Sequence, residues 1–163
     1  MDQNRAALDD IYVYDPEKAP GFLISRTAMR LKLGLRRVFM EHGLDVTPEQ
    51  WGILLCLWRA EGLSQSELAD RTVKDRTTIT RILDLLEKKG LAERRKDASD
   101  RRTFRIHLTE AGRQARQELF PLVQGFAGKI YADLHEAEFS ALQTIMAKIN
   151  NRLDELESDV ASA

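Results

Sequence analysis

The chain has 163 residues, 43% of them hydrophobic and 31% charged, with a single cysteine. That length fits one domain with helical extensions; no run approaches the ~18 apolar residues of a membrane span, and Cys56 alone excludes an internal disulfide framework or an all-cysteine metal site. The net charge of −1 conceals a division: residues 1–70 carry −3, residues 71–105 carry +6 from 12 basic and 6 acidic side chains, and residues 106–163 carry −4. A short basic block between acidic flanks points to a polyanionic partner, nucleic acid first, with a solvated charged face as the competing reading.

The first twenty residues, with Asp9, Asp10, Asp15, Pro16 and Pro20, read as a loosely ordered segment. It is acidic and lacks an apolar stretch of the secretory type, which predicts a cytoplasmic protein. From about Phe22, Ile24, Ala28, Leu31, Leu35, Val38 and His42 recur at alternating spacings of four and three, a coiled-coil-like seam ended by Gly43. Thr47-Pro48-Glu49-Gln50 is a capping box with proline in the first turn, opening an apolar helix to about Ala60. Ser64-Gln65-Ser66-Glu67 is a second capping box before a short helix, and Thr72-Val73-Lys74 reads as a tight turn. The next helix runs from about Asp75 to Lys89, with Ile79, Ile82, Leu83 and Leu86 on one face. Two strands follow, Leu91–Lys96 and Thr103–Leu108, joined by Asp97-Ala98-Ser99-Asp100; the second alternates, with Phe104, Ile106 and Leu108 together on one face. Thr109 starts a long helix to about Asp133, in which Pro121 should cause a kink or a break near Leu119. A last helix, from about Glu136 to Leu156, carries Phe139, Leu142, Met146, Ile149, Leu153 and Leu156 at spacings of three and four.

Helix, helix, tight turn, helix, basic hairpin is the order of a winged helix-turn-helix. A recognition helix needs an apolar face for its own domain and a polar face for the major groove. Opposite Ile79, Ile82, Leu83 and Leu86, the residues Arg76, Thr77, Thr80 and Arg81 supply short hydroxyls and guanidinium groups at the N-terminal end. An ordinary amphipathic helix with a charged exterior is the competing reading. The hairpin weighs against it: Arg94, Arg95 and Lys96 precede the tip, and Arg101, Arg102 and Arg105 follow it, so like charges crowd where a narrow, electronegative minor groove would accept them. Asp100, two residues from Arg102, can hold that side chain in place.

These residues resemble the MarR family of bacterial transcriptional regulators. The pattern Asp-x-Arg, five residues, Leu-Thr, two residues, Gly stands here as Asp100, Arg102, Leu108, Thr109 and Gly112. Thr77 to Arg81 running into Leu86–Leu91 resembles the family's recognition helix and first wing strand, and Thr47–Trp51 the start of its second helix. The resemblance implies a mainly α fold with a small β-hairpin wing, spanning 21–157: a DNA-binding lobe at about 47–108, flanked by dimerisation helices at about 21–43 and 109–157, with a frayed tail at 158–163. It places Thr77, Thr78, Thr80 and Arg81 along the major groove and Lys74 and Arg76 near the backbone. Ser64 and Gln65 would meet phosphate at a helix N-terminus. Arg102 would enter the minor groove, oriented by Asp100, with Arg95 and Arg101 on the same wing.

The resemblance further implies a homodimer on pseudo-palindromic operator DNA, released as a repressor by a small, often phenolic ligand. The seams of the first and last helices fit such a dimer. Arg26, Met29, Arg30, His42, Trp51 and Phe120 are candidates for the ligand pocket, against the plainer reading that each is core or surface. Cys56 lies in an apolar run and reads as an inert thiol rather than a redox sensor. His42, His107 and His135 have no metal-ligand spacing, and neither cofactor nor metal is expected. No G-x-S-x-G, P-loop or dinucleotide fingerprint is present, so an enzyme is not expected. The alternatives are an interaction protein that kept the fold, or an activator without a ligand trigger.

Overall fold

The computed structural model describes residues 15–97 and 103–161. Among these lie six α-helices and a three-stranded antiparallel sheet. After a 3-10 turn (Pro16–Lys18) come α1 (Pro20–Glu41), α2 (Pro48–Arg59), β1 (Leu63–Ser64), α3 (Gln65–Thr72), α4 (Arg76–Lys88), β2 (Ala92–Lys96), β3 (Phe104–Leu108), α5 (Glu110–Ile130) and α6 (Glu136–Ala161). The sheet order is β1-β3-β2. No helix of the described residues is long and apolar enough to cross a membrane.

Both capping boxes form. Thr47 Oγ1 accepts from Gln50 N at 3.2 Å while Gln50 Oε1 accepts from Thr47 N at 3.1 Å. Ser64 and Glu67 repeat the exchange at 3.2 and 2.7 Å. Each pair satisfies two of the amides that a helix start leaves without partners.

The chain divides into two compact units between Gln124 and Gly125. The first is built on one core: Phe39 from α1; Trp51, Ile53, Leu54 and Leu57 from α2; Leu68 from α3; the apolar face of α4; Ile106 and Leu108 from β3; and Leu119 from α5. Trp51 lies between Phe39 and Phe120, each at 6.3 Å, and meets Trp58 edge-on at 5.3 Å. Burial of these large side chains is the main term favouring the fold. In the second unit Tyr131 and Phe139 pack edge to face at 5.8 Å, and most of α6 is exposed.

The structure changes or completes four sequence readings. β1 was not foreseen: Leu63 pairs with Ile106 and Ser64 with Arg105, so the hairpin is part of a three-stranded sheet. Phe104 is exposed, because β3 there faces only Lys96 and has run past β1 and the core beneath Ile106. Of the kink or break expected at Pro121, the break is absent and α5 is continuous: Pro121 and Gln117 are both exposed, so water can take the carbonyl that loses its amide partner. α6 continues past Leu156 to Ala161.

Candidate nucleic-acid interface

α3 and α4 are joined by a turn that reverses the chain without glycine. Lys74 N donates to Ala69 O at 3.0 Å and Val73 N to Asp70 O at 3.3 Å, with Val73 left-handed at φ 50°, ψ 54°. This is the pattern of a helix C-terminus closed by a left-handed residue. α4 then opens on Asp75, whose carboxylate accepts from Thr78 N at 2.8 Å and from Thr78 Oγ1 at 2.7 Å. Those bonds from Thr78 hold the Asp75 carboxyl below its ordinary pKa.

The two faces of α4 separate cleanly. Ile79, Ile82, Leu83 and Leu86 are buried, while Arg76, Thr77, Thr80 and Arg81 are exposed. Thr78 differs from its neighbours: it is half-buried and its hydroxyl serves the cap. Thr80 Oγ1 donates back to Arg76 O at 2.9 Å. Neither Arg76 nor Arg81 has an ion pair among the described residues.

The structure fixes α4 at its flank and its far end. Arg94, on β2, has a side chain only 19% exposed and turned back onto the helix. It pairs with Asp84 at 2.8 Å and with Glu87, reaches Thr80 O at 3.3 Å, and its backbone N–H donates to Glu87 Oε1 at 2.7 Å. At the C-terminal end Lys89 Nζ meets Asp45 Oδ1 at 3.0 Å and the buried Gln50 Oε1 at 3.1 Å, tying the end of α4 to the start of α2.

These pairs correct the charge argument. The hairpin arginines are partly compensated from within the lobe. Arg94 is held as described, Arg95 Nε donates to Glu93 at 2.9 Å, and Arg105 bridges Asp97 at 2.5 Å and Glu67 at 3.0 Å. The hydrogen bond to Asp97 holds the Arg105 pKa above its ordinary value. Among the described residues six cations of α3–β3 have no ion pair: Lys74, which is half-buried, and Arg71, Arg76, Arg81, Lys88 and Lys96, which are exposed. Asp100, Arg101 and Arg102 lie outside the described residues.

Ser64 and Gln65 stand at the start of α3. The Ser64 side chain is committed to its capping box, and the Glu67 carboxylate shares that helix end with Arg105. Backbone and side-chain hydrogen bonds from Ser64, with the Arg105 charge, hold Glu67 below its ordinary pKa. Sequence reading missed the contacts by which Arg94 holds α4 and Lys89 holds Gln50; a half-buried arginine on a strand looks the same in sequence as an exposed one.

The six pocket candidates stand at different places on the first unit. Trp51 and Phe120 meet in the core. Arg26, Met29 and Arg30 lie on the exposed part of α1, and His42 is exposed at its end, with Nδ1 2.8 Å from Val38 O. Phe120 also borders a cavity of about 450 Å³ with Arg113, Arg116, Gln117 and Pro121, and the Arg116 guanidinium stands 5.5 Å from its ring centre. A second cavity, about 410 Å³, is lined by Lys32, Glu49, Arg59, Arg71 and Lys74 together with apolar residues and Cys56. Cys56 is half-buried, and burial raises its thiol pKa. Among the described residues no cluster of His, Cys, Asp and Glu could hold a metal.

Comparison with known proteins converges on one family. The MarR family model matches residues 46–104. The transcriptional repressor MprA of Escherichia coli K12 is 30% identical over 141 residues, covering 84% of this chain and 80% of that protein. The repressor CouR bound to a 23-mer DNA duplex superposes with a TM-score of 0.76 at 26% identity, over 84% of this chain and 96% of that one. Wild-type MarR of Escherichia coli in its apo form gives 0.67 at 25% identity, over 80% and 96%. The chain belongs to the MarR family of transcriptional regulators.

Proposed function

We propose that the protein is a homodimeric repressor that binds pseudo-palindromic operator DNA, with α4 in the major groove and the β2–β3 wing over the adjacent minor groove. The observation that carries this reading is the face of α4. Arg76, Thr77, Thr80 and Arg81 stand exposed opposite four buried apolar residues, at the end of the helix that a major groove admits. Thr77, Thr80 and Arg81 reach base edges; Lys74 and Arg76 take the backbone. Thr78 acts through the Asp75 cap as well as toward DNA, and Ser64 and Gln65 meet phosphate with the amides their capping box leaves open. Arg95, Arg101 and Arg102 supply the wing, with Asp100 orienting Arg102. The similar fold of CouR, solved bound to a 23-mer DNA duplex, supports DNA as the partner.

Two copies are needed because a two-fold operator presents two half-sites, and the apolar residues of α1 and α6 are the surfaces left for the pairing. Release by a small ligand belongs to the same reading. The cavity lined by Lys32, Arg59, Arg71 and Lys74 offers such a ligand cationic groups, among them Lys74, which the same reading sets against the DNA backbone. The protein acts where the DNA is, in the cytoplasm, and carries out no reaction of its own.

Selection of genomic fragments by the purified protein across a salt series tests the reading. The expected result is an inverted repeat with half-sites about one helical turn apart, and an affinity that falls steeply with salt. Arg102→Ala should then weaken binding without altering the thermal midpoint, and Arg81→Ala should relax base preference more than salt slope. Enrichment without a motif would overturn operator recognition and leave only charge-driven binding.

A further inference from the structure

Val73 is out of place by two independent measures. It is 92% exposed, more than any other large hydrophobic side chain of the described residues. It is also left-handed, at φ 50°, and among the described residues it is the only non-glycine residue with positive φ. Where the backbone turns left-handed elsewhere, at positions 43, 62 and 90, the chain has glycine. A β-branched side chain is the least suited to that conformation, because its methyl groups crowd the adjacent carbonyl. In the free protein nothing offsets this: an isopropyl group in water gains no burial, and the two hydrogen bonds that close the turn come from the backbone of Val73 and Lys74. An asparagine or glycine would close the same turn with less strain.

Its position supplies the reason. Val73 stands at the entry to α4, next to Lys74 and three residues before Arg76, so an apolar group is set among hydroxyls and cations that face the proposed ligand. The DNA surface offers matching chemistry at the lip of the major groove, in the thymine 5-methyl group and the CH edge of the deoxyribose. Backbone strain retained at an exposed position is the kind of feature that marks a functional contact. We propose that Val73 is an apolar DNA contact, its isopropyl group packing on these CH groups as α4 enters the groove. The inference rests on the DNA-binding reading above.

Val73→Gly and Val73→Asn remove the isopropyl group and accept the left-handed backbone. In the full-length protein both should keep or raise the thermal midpoint. Both should lose roughly tenfold in affinity for the selected inverted repeat, the amount expected for losing one small buried apolar group. Val73→Ile should retain the affinity. Replacing each thymine of the duplex in turn by uracil identifies the source. If one replacement weakens the wild type but not Val73→Gly, the thymine methyl is the contact; if none does, the deoxyribose is. Unchanged affinity in both variants overturns the contact, and so does a fall in their thermal midpoints, which would place the role of Val73 in folding. If the wild type itself selects no motif, the DNA reading fails on the wild type alone and this inference falls with it.

Discussion

Gly112 lies where the first turn of α5 crosses the chain leading into β2, and a methyl group there has no room. A Cβ on this residue would stand 1.9 Å from Leu91 O and 2.9 Å from Leu91 C, both backbone atoms that cannot rotate away. The same residue is bonded on both sides: its N–H donates to Thr109 Oγ1 at 3.0 Å, and its carbonyl accepts from Trp58 Nε1 at 2.9 Å. Gly112→Ala must therefore lift α5 off Leu91 and loosen the Trp58 bond. The expected loss is about 2–3 kcal/mol, or roughly 5–10 °C in thermal midpoint for a chain of this size. Chemical denaturation of the variant measures it, and an unchanged midpoint would mean that α5 can retreat from Leu91 at no cost. The glycine of the family motif thus has a packing reason independent of any contact with DNA.

At the scale of elements, α4 is useful only if its angle to the wing is fixed, and Arg94 joins the two. Its guanidinium spans Asp84 and Glu87 on the helix while its own backbone sits in β2. Arg94→Ala should cost about 1–2 kcal/mol, at the low end for a partly buried pair because Asp84 is well exposed. Operator affinity should fall as well, and Arg94→Lys should restore little, since an ammonium cannot span two carboxylates as a planar fork does. Equal binding by wild type and Arg94→Ala would remove the wing–helix coupling.

The helix starts respond to pH. Glu67 and Asp75 both have carboxyls held below their ordinary pKa by hydrogen bonds, so each ion favours the folded state. The sign follows: their contribution is complete above the unfolded carboxylate range and is lost as pH falls through the lower, folded values. Glu67→Gln with Asp75→Asn should flatten the acid limb of a stability-against-pH curve; a limb as steep as that of the wild type would show that other carboxylates drive acid unfolding.

Much of this level was legible in the sequence. Capping boxes use fixed residue types at fixed spacing, and the apolar face of α4 repeats over three turns, so Thr47, Ser64, Ile79 and Leu86 declare themselves locally. β1 did not, because two residues cannot establish an alternation and their strand exists only through pairing with β3. Nor could local pattern reveal that Phe104 overshoots the core or that Arg94 and Arg105 face carboxylates, since those depend on how separate elements pack: Glu87 is seven residues from Arg94 but stands on a different element. The Arg105–Glu67 pair spans 38 residues.

For the whole molecule, the apolar residues left uncovered decide the assembly. On α1, Phe22, Met29, Leu33 and Met40 are exposed at spacings of seven, four and seven, on a helix whose Leu31, Leu35 and Val38 already turn inward. On α6, Phe139, Leu142, Ile145, Leu153 and Leu156 are each at least 40% exposed. Apolar rows of this kind on long helices are the surfaces that a second copy of the chain covers. Each stripe can be tested separately. Leu33→Glu and Leu153→Glu place a charge in the apolar row without removing a core contact, so each should turn the dimer into a folded monomer by sedimentation equilibrium. Affinity for the full inverted repeat should then fall far more than affinity for a single half-site, because only the dimer engages both half-sites at once. A variant that stays dimeric shows that its helix does not form the subunit interface. A variant that becomes monomeric yet binds the full repeat as before would show that operator recognition does not depend on the two-fold, and the palindromic geometry assigned to α4 and the wing would have to be abandoned.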